Sequence, residues 1–399
     1  MAVRFVAVAA LACTVVAADV SAGAERRGGP IYAVTESGTG GRLLTQRNPA
    51  TLSAVGPSAR LGSSSQPAAF SPDGSLLAFV EWTGDRPSIR ILELAQMRWR
   101  RQIPLDLTTG TVLVRWLDSR RLMAFAEQPD GLRVLVLDGR MKRRSHVNRI
   151  RGHLTDRYQI AVARTRAAVL IRAGQRIGAV RVAVVSASGS TRIVTVNHIR
   201  EGSNGRDIYR PSLVASPTAD QAYVVGSIGE PVATINLRTL AISYRRPFAS
   251  ADAANVAGAE RMTVWLGGGR FAVAGWDDGA PGYDSKLLGL RVVDTRSWRA
   301  RVLDPDSDYF CVAGHSVVAH HLDGRLIVFG FDGGRRMALT LLDSSSPMPT
   351  VSNDRYLYLG DGGETLVADL ASRRVIGRRA INGLHELLSP TYTLGAGCR

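Results

Sequence analysis

Two short segments combine aromatic side chains with acids, as sugar- and peptide-binding surfaces do. Trp276-Asp277-Asp278-Gly279-Ala280-Pro281-Gly282-Tyr283-Asp284 sets two aromatic residues among carboxylates, and Glu81-Trp82-Thr83-Gly84-Asp85-Arg86 repeats the theme with an arginine at its end. An aromatic ring offers a flat face for stacking, while neighbouring carboxylates accept hydrogen bonds from hydroxyls or amides. The candidate ligand-binding residues are therefore Glu81, Trp82, Asp85, Arg86, Trp276, Asp277, Asp278, Tyr283 and Asp284. A plainer reading carries more weight: the tryptophans cap a hydrophobic core at strand ends and the acids serve turns, because aromatic residues act mostly as packing mass.

A third segment, Asp304-Pro305-Asp306-Ser307-Asp308, spaces three carboxylates at alternate positions, a pattern suited to a hard cation. Tyr309 stands where a calcium-binding helix-loop-helix needs glycine, and His315 where it needs a bidentate glutamate, so a solvated turn is the preferred reading. The seven histidines, including His320-His321, show no zinc-site spacing. No metal and no cofactor are expected.

Catalysis is not expected either. The chain has no Gly-x-Ser-x-Gly nucleophile elbow. The alternative is a carbohydrate-active enzyme, a glycosidase or lyase, with paired carboxylates facing each other across a central funnel; sequence alone does not pair them.

Arg140 to Arg144, with Arg149, Arg151 and Arg157, forms the densest basic run, readable as a polyanion site or as solvent-facing arginines on an alternating strand. The net charge is +16, and Lys142 and Lys286 are the only lysines among 50 basic residues. Such a skew fits a compositional bias as well as selection for an anionic partner, although the field attracts anionic polymers in either case.

The elements that must position these residues are short and repetitive. Apolar runs recur at Ile31-Val34, Leu76-Val80, Leu122-Ala126, Ala167-Ile171, Ala222-Val225, Phe271-Ala274, Val317-Ala319 and Tyr356-Leu359. Their spacing of roughly 40 to 55 residues is that of propeller blades. Each run follows a short strand and tight turn, such as Ala69 to Gly74 or Val214 to Pro217, and precedes a third strand, a second turn and a fourth strand. No amphipathic helix interrupts the pattern. Isolated meanders cannot bury both faces and must stack on their neighbours.

The expected fold is thus all-β, a propeller of seven or eight four-stranded antiparallel blades, with eight favoured. Leu387-Leu388-Ser389-Pro390 echoes Phe70-Ser71-Pro72, which predicts that a C-terminal strand completes the N-terminal blade and closes the ring. The stretch from Thr155 to Val196 is the least regular. Connections between second and third strands, and between fourth and first, are the longer ones (Glu81 to Ser88, Arg200 to Pro211, Trp276 to Lys286 and Asp304 to Tyr309 among them), so a binding site is expected on that face.

Arg4, the apolar Phe5 to Ala18 and the small residues Ala22-Gly23-Ala24 read as a secretory signal over residues 1–24 cleaved after Ala24, leaving one propeller domain over 25–399. No apolar run reaches the length of a transmembrane helix. A secreted chain of this kind permits a disulfide between Cys311 and Cys398, although burial of Cys311 as a free thiol is an equal reading.

The string Ser71-Pro72-Asp73-Gly74-x-x-Leu77-Ala78-Phe79 resembles the blade signature of TolB-like and WD-repeat-like propellers, and the strings at Leu237 to Leu240, Asp294 to Trp298 and Asp369 to Arg373 resemble turns of secreted bacterial propellers of unknown role. The likeness extends over essentially residues 30 to 395. It departs from true WD repeats, because Trp276-Asp277 follows a second strand and no regular Gly-His partner occurs. The resemblance implies a binding scaffold, and the chain is expected to be non-catalytic and monomeric, with an unknown protein or a cell-surface polymer as its partner.

Overall fold

Alternation along each strand decides how the sheets stack. In Arg121–Gln128, Leu122 and Ala124 enter one buried apolar cluster while Met123 and Phe125 enter the next. Successive side chains of a strand point to opposite faces. Both faces are apolar, so both must be covered. The computed structural model describes residues 29–38, 40–100, 102–105, 111–138, 144–154, 160–172, 176–248, 256–280, 284–321, 323–340, 350–361 and 364–390. It is all-β, with no helix among the described residues.

Four-strand antiparallel meanders follow one another along the chain. Six form separate sheets. The first joins Ala54–Leu61, Arg42–Arg47 and Ile31–Glu36 to the C-terminal Leu384–Leu388, with Tyr32 opposite Leu388 and Ala33 opposite Leu387. The second (from Gln66–Phe70), third (from Val112–Trp116), fifth (from Ser212–Ala215), seventh (from Tyr309–Ala313) and eighth (from Thr350–Ser352) run in simple sequence order. The fourth and sixth meanders are fused into one ten-stranded sheet. The expectation of seven or eight separate four-stranded blades is corrected accordingly: six stand alone. The cause is local. Thr191–Ser203, the last strand of the fourth meander, runs on for 13 residues, turns back through Ile208–Arg210, and that short strand pairs in parallel with Val256–Gly267 of the sixth.

Eight buried apolar clusters lie between consecutive meanders. The second and third meanders share one, through Ile91 and Leu122, and the fourth and fifth share another, through Val182 and Val224. Val351, Tyr358 and Val367 of the eighth pack with Ile31, Ala33 and Leu387 of the first, and Leu388 then packs with Leu77 and Phe79 of the second. Burial of whole aliphatic and aromatic side chains, worth about 1.5–3 kcal/mol each, is the main force holding the meanders side by side.

The turns explain the repeated strings. In Asn48–Leu52, Asn236–Leu240, Asp294–Trp298 and Asp369–Arg373, a side-chain oxygen of the first residue accepts backbone N–H bonds two or three residues on, and the fifth residue takes a positive φ. An Asx side chain that mimics a backbone turn favours this conformation locally. At the other kind of turn on this end, Ser71, Ser216 and Ser389 are buried ahead of Pro72, Pro217 and Pro390, and Ser71 Oγ donates to Asp73 Oδ1 at 2.5 Å.

Candidate functional site

Antiparallel order puts the second-to-third and fourth-to-first connections on one end of the meanders, opposite those tight turns. Several segments that read as loops there are strands that overrun their sheets, which corrects the expectation. Leu76–Thr83 and Arg86–Glu93 extend to a two-residue hairpin at Gly84-Asp85. Arg200 to Pro211 holds the end of Thr191–Ser203 and all of Ile208–Arg210, and Arg270–Gly279 carries Trp276 and Asp277 into the ribbon beside Lys286–Leu287. Gly275 permits this overrun: at φ 137° its backbone lies so close to the Glu260 carbonyl that a Cβ would collide with it.

The ribbon rests on a buried ionic centre. Arg261 Nη2 donates to both carboxylate oxygens of Asp277 at 2.6 and 2.5 Å, and its Nη1 reaches the carbonyls of Trp276 and Glu260 at 2.6 and 2.9 Å. Asp277 also accepts the Ile228 N–H at 3.2 Å. Burial pulls the Arg261 guanidinium down from its ordinary range, and Asp277 pulls it back. Alongside, Glu230 accepts from Arg200 Nε at 2.8 Å and from the Arg200 and Ser227 N–H groups, while Arg200 lies 4.0 Å over the Tyr209 ring. These bonds tie the fourth, fifth and sixth meanders together.

Glu201, next to Arg200, differs. It is buried, its Oε1 has no hydrogen-bond partner, and desolvation pushes its carboxyl up to about 7 against the weaker pull of Arg172 and Arg181.

A second polar cluster lies between the sixth and seventh meanders, where the Asp304 to Tyr309 connection meets the residues after Ser316–His320. His321 Nε2 lies 2.8 Å from Asp304 Oδ2, with both side chains buried (5% and 3% exposed). Asp306 is exposed, and one donor atom from each of Asp304, Asp306 and His321 lies within 4.8 Å of the other two. Asp304 Oδ1 accepts the Asp306 N–H at 3.2 Å, which folds the loop back on itself. Burial raises the Asp308 carboxyl, with His321 lowering it in part. His320 faces the other way: burial drops it to about 4, it stacks on Tyr309 at 4.4 Å, and its Nε2 lies 3.2 Å from Cys311 Sγ.

The residues singled out from the sequence divide among different places. Asp277 is the buried partner of Arg261. Glu81 is buried too, accepting from Ser65 Oγ at 2.7 Å and from Arg90 Nη1 at 3.2 Å. Trp82 packs against the cluster shared by the second and third meanders, and Trp276 is half-buried opposite Glu260 and Leu287. Asp85, Arg86 and Asp284 are exposed, Asp278 is half-buried, and Tyr283 lies outside the described residues. The two groups stand on the second and sixth meanders, which share no apolar cluster, so the structure does not bring them together. Cys311 is fully buried and disulfide-bonded; Cys398 lies outside the described residues. Arg149 pairs with Asp130 at 3.1 Å, and Arg140 to Arg143 and Arg157 lie outside the described residues. Sequence reasoning missed the joining of Asp304 and His321, because 17 residues and a whole hairpin separate them. The available signal was that both positions end strands on the same face.

The fold defines the chain as a β-propeller. No family model matches it, and no curated protein matches it in sequence. Among solved structures, the dihydro-heme d1 dehydrogenase NirN in complex with DHE is similar at 14% identity, over 90% of this chain and 75% of that one, with a TM-score of 0.57. Apo AztD from Citrobacter koseri is similar at 12% identity, over 90% of this chain and 97% of that one, with a TM-score of 0.52. At such identities the likeness is one of fold.

Proposed function

We propose that this chain is a non-catalytic binding scaffold of the secreted compartment, its stacked meanders closed into a ring. The C-terminal strand completes the first, and a partner docks on the face carrying the strand extensions. The observation that carries the reading is the ribbon itself. Stacked meanders need only short connections, yet here strands overrun three of them, and the overruns of the fourth and sixth meanders are fixed in place by the Arg200–Glu230 and Arg261–Asp277 pairs. Rigid irregular structure held on one face of a regular scaffold is where binding concentrates. The succession of shared apolar clusters, returning from the eighth meander to the first and second, supports the ring.

The first strands of the meanders, which contact one another, supply few acids for a catalytic funnel. Among their described residues the carboxylates are Glu260, paired with Arg210 at 2.8 Å, and Glu386. That scarcity weighs against the glycosidase or lyase alternative, which needs two carboxylates at a defined separation. Residues 1–24, read as the secretory signal, lie outside the described residues, and no helix among the described residues is long and apolar enough to cross a membrane.

Site-specific photo-crosslinking in the producing cell tests the reading. A crosslinker at Asp284 or Asp85 on the ribbon face is expected to capture a discrete adduct, and one at Thr239, on the opposite turns, none. Equal capture from both faces, or turnover of a glycan by the purified chain, would overturn it.

A further inference from the structure

We propose that Asp304, Asp306 and His321 form a binding site for one divalent transition-metal ion, of which zinc is the natural probe. The proposal is independent of the scaffold reading.

The protein carries 50 arginines and lysines against 34 acids, and guanidinium groups take up carboxylates before and after this loop, Asp277 through Arg261 and Asp323 through Arg325. Asp304, Asp306 and Asp308 have no arginine or lysine partner among the described residues. The oxygens of Asp304 and Asp306 nonetheless converge on the His321 ring nitrogen. Like charges held together in a partly desolvated place are unfavourable unless a cation sits among them. A structural Asp–His pair would need only Asp304.

Geometry and donor chemistry then select the ion. In a tetrahedral site with bonds of about 2.1 Å, neighbouring donors lie about 3.4 Å apart. Asp304 Oδ2 and His321 Nε2, at 2.8 Å, need to separate by only a few tenths of an ångström more than a hydrogen bond, and Asp306 sits on an exposed turn free to close the third position. One nitrogen and two carboxylates suit zinc and its first-row neighbours better than calcium or magnesium, which prefer all-oxygen shells. Ligation through His321 Nε2 uses that nitrogen's lone pair, so the neutral ring would carry its proton on Nδ1 and Asp304 would bind as the carboxylate. Three protein ligands leave the fourth position open to water or to a donor from a docked partner.

Titration of the chelator-stripped full chain with zinc, followed by calorimetry, with cobalt(II) as an optical probe, tests this. One zinc per chain is expected, together with a rise in melting temperature that equal calcium does not produce. Asp306→Asn, at an exposed position that leaves the fold intact, is expected to weaken zinc at least about a hundredfold, the upper end of what outer-shell changes cost. His321→Gln is expected to abolish the visible cobalt bands of tetrahedral coordination. Absence of zinc binding to the wild type, or identical affinity in Asp306→Asn, would overturn the site.

Discussion

The Arg261–Asp277 centre and the Asp304 loop stand on the same face of the same meander and handle negative charge in opposite ways. At the first, a fully buried guanidinium answers a buried carboxylate and two carbonyls, leaving only Arg261 Nε without a partner. At the second, two aspartates lie beside one imidazole and no guanidinium among the described residues answers them. A matched buried pair is structure, because removing either half strands the other in a medium that cannot solvate it. An exposed donor such as Asp306, beside a buried Asp304–His321 pair, adds little to folding and is available to a ligand. The lesson applies to reading such a chain: in a strongly basic protein the informative acids are those the arginines leave alone.

The largest effect is expected at the matched centre. Arg261→Met leaves Asp277 buried without its counter-charge and should cost about 3–5 kcal/mol in urea unfolding, while the double variant with Asp277→Leu should recover much of that loss. Failure of the second change to restore stability would mean that Arg261 acts through packing alone.

Glu201 is intermediate, a buried carboxyl whose neighbouring arginines act on it without satisfying Oε1. Its folded value, about 7, lies above its ordinary 4.5, so between those values the folded state binds the proton more tightly than the unfolded chain. Stability therefore falls as pH rises through that window, and the cost is complete above 7. Glu201→Gln should flatten this decline and raise stability at pH 8 by up to about 3 kcal/mol, seen as melting temperatures measured from pH 4 to 8. A wild-type melt that is flat over that range would remove Glu201 from the account.

A smaller effect is expected at Gly275. Alanine there meets the Glu260 carbonyl at a backbone angle that side chains rarely adopt. Gly275→Ala should cost about 2 kcal/mol and speed hydrogen exchange at the Glu260 and Arg261 amides while the other sheets stay protected.

Much of the fold was legible because its signal is local. Runs such as Leu76-Leu77-Ala78-Phe79-Val80 and turns such as Asp294 to Trp298 carry their own conformational instructions, and Leu388-Ser389-Pro390 announces its place by echoing Phe70-Ser71-Pro72. The fusion of two meanders was not legible. Arg200, Glu201 and Arg210 are charged and read as loop, yet two of them are neutralised by carboxylates from elsewhere in the chain, Glu230 and Glu260, and so lie in strands. The parallel pairing of Tyr209 with Ala259 leaves no pattern in sequence, since 50 residues and an entire meander intervene. The aromatic and acidic segments are ambiguous in sequence. Asp277 and Glu81 look like ligand contacts in a string of letters, and only burial beside Arg261 and Arg90 reveals what they hold.

The contrast itself rests on one comparison, the urea-unfolding midpoint of Asp277→Asn beside that of Asp306→Asn, both in metal-free buffer. The account predicts that Asp277→Asn loses several kcal/mol while Asp306→Asn unfolds with the wild type. Equal losses in the two variants would contradict it, because both carboxylates would then be parts of the same structural framework.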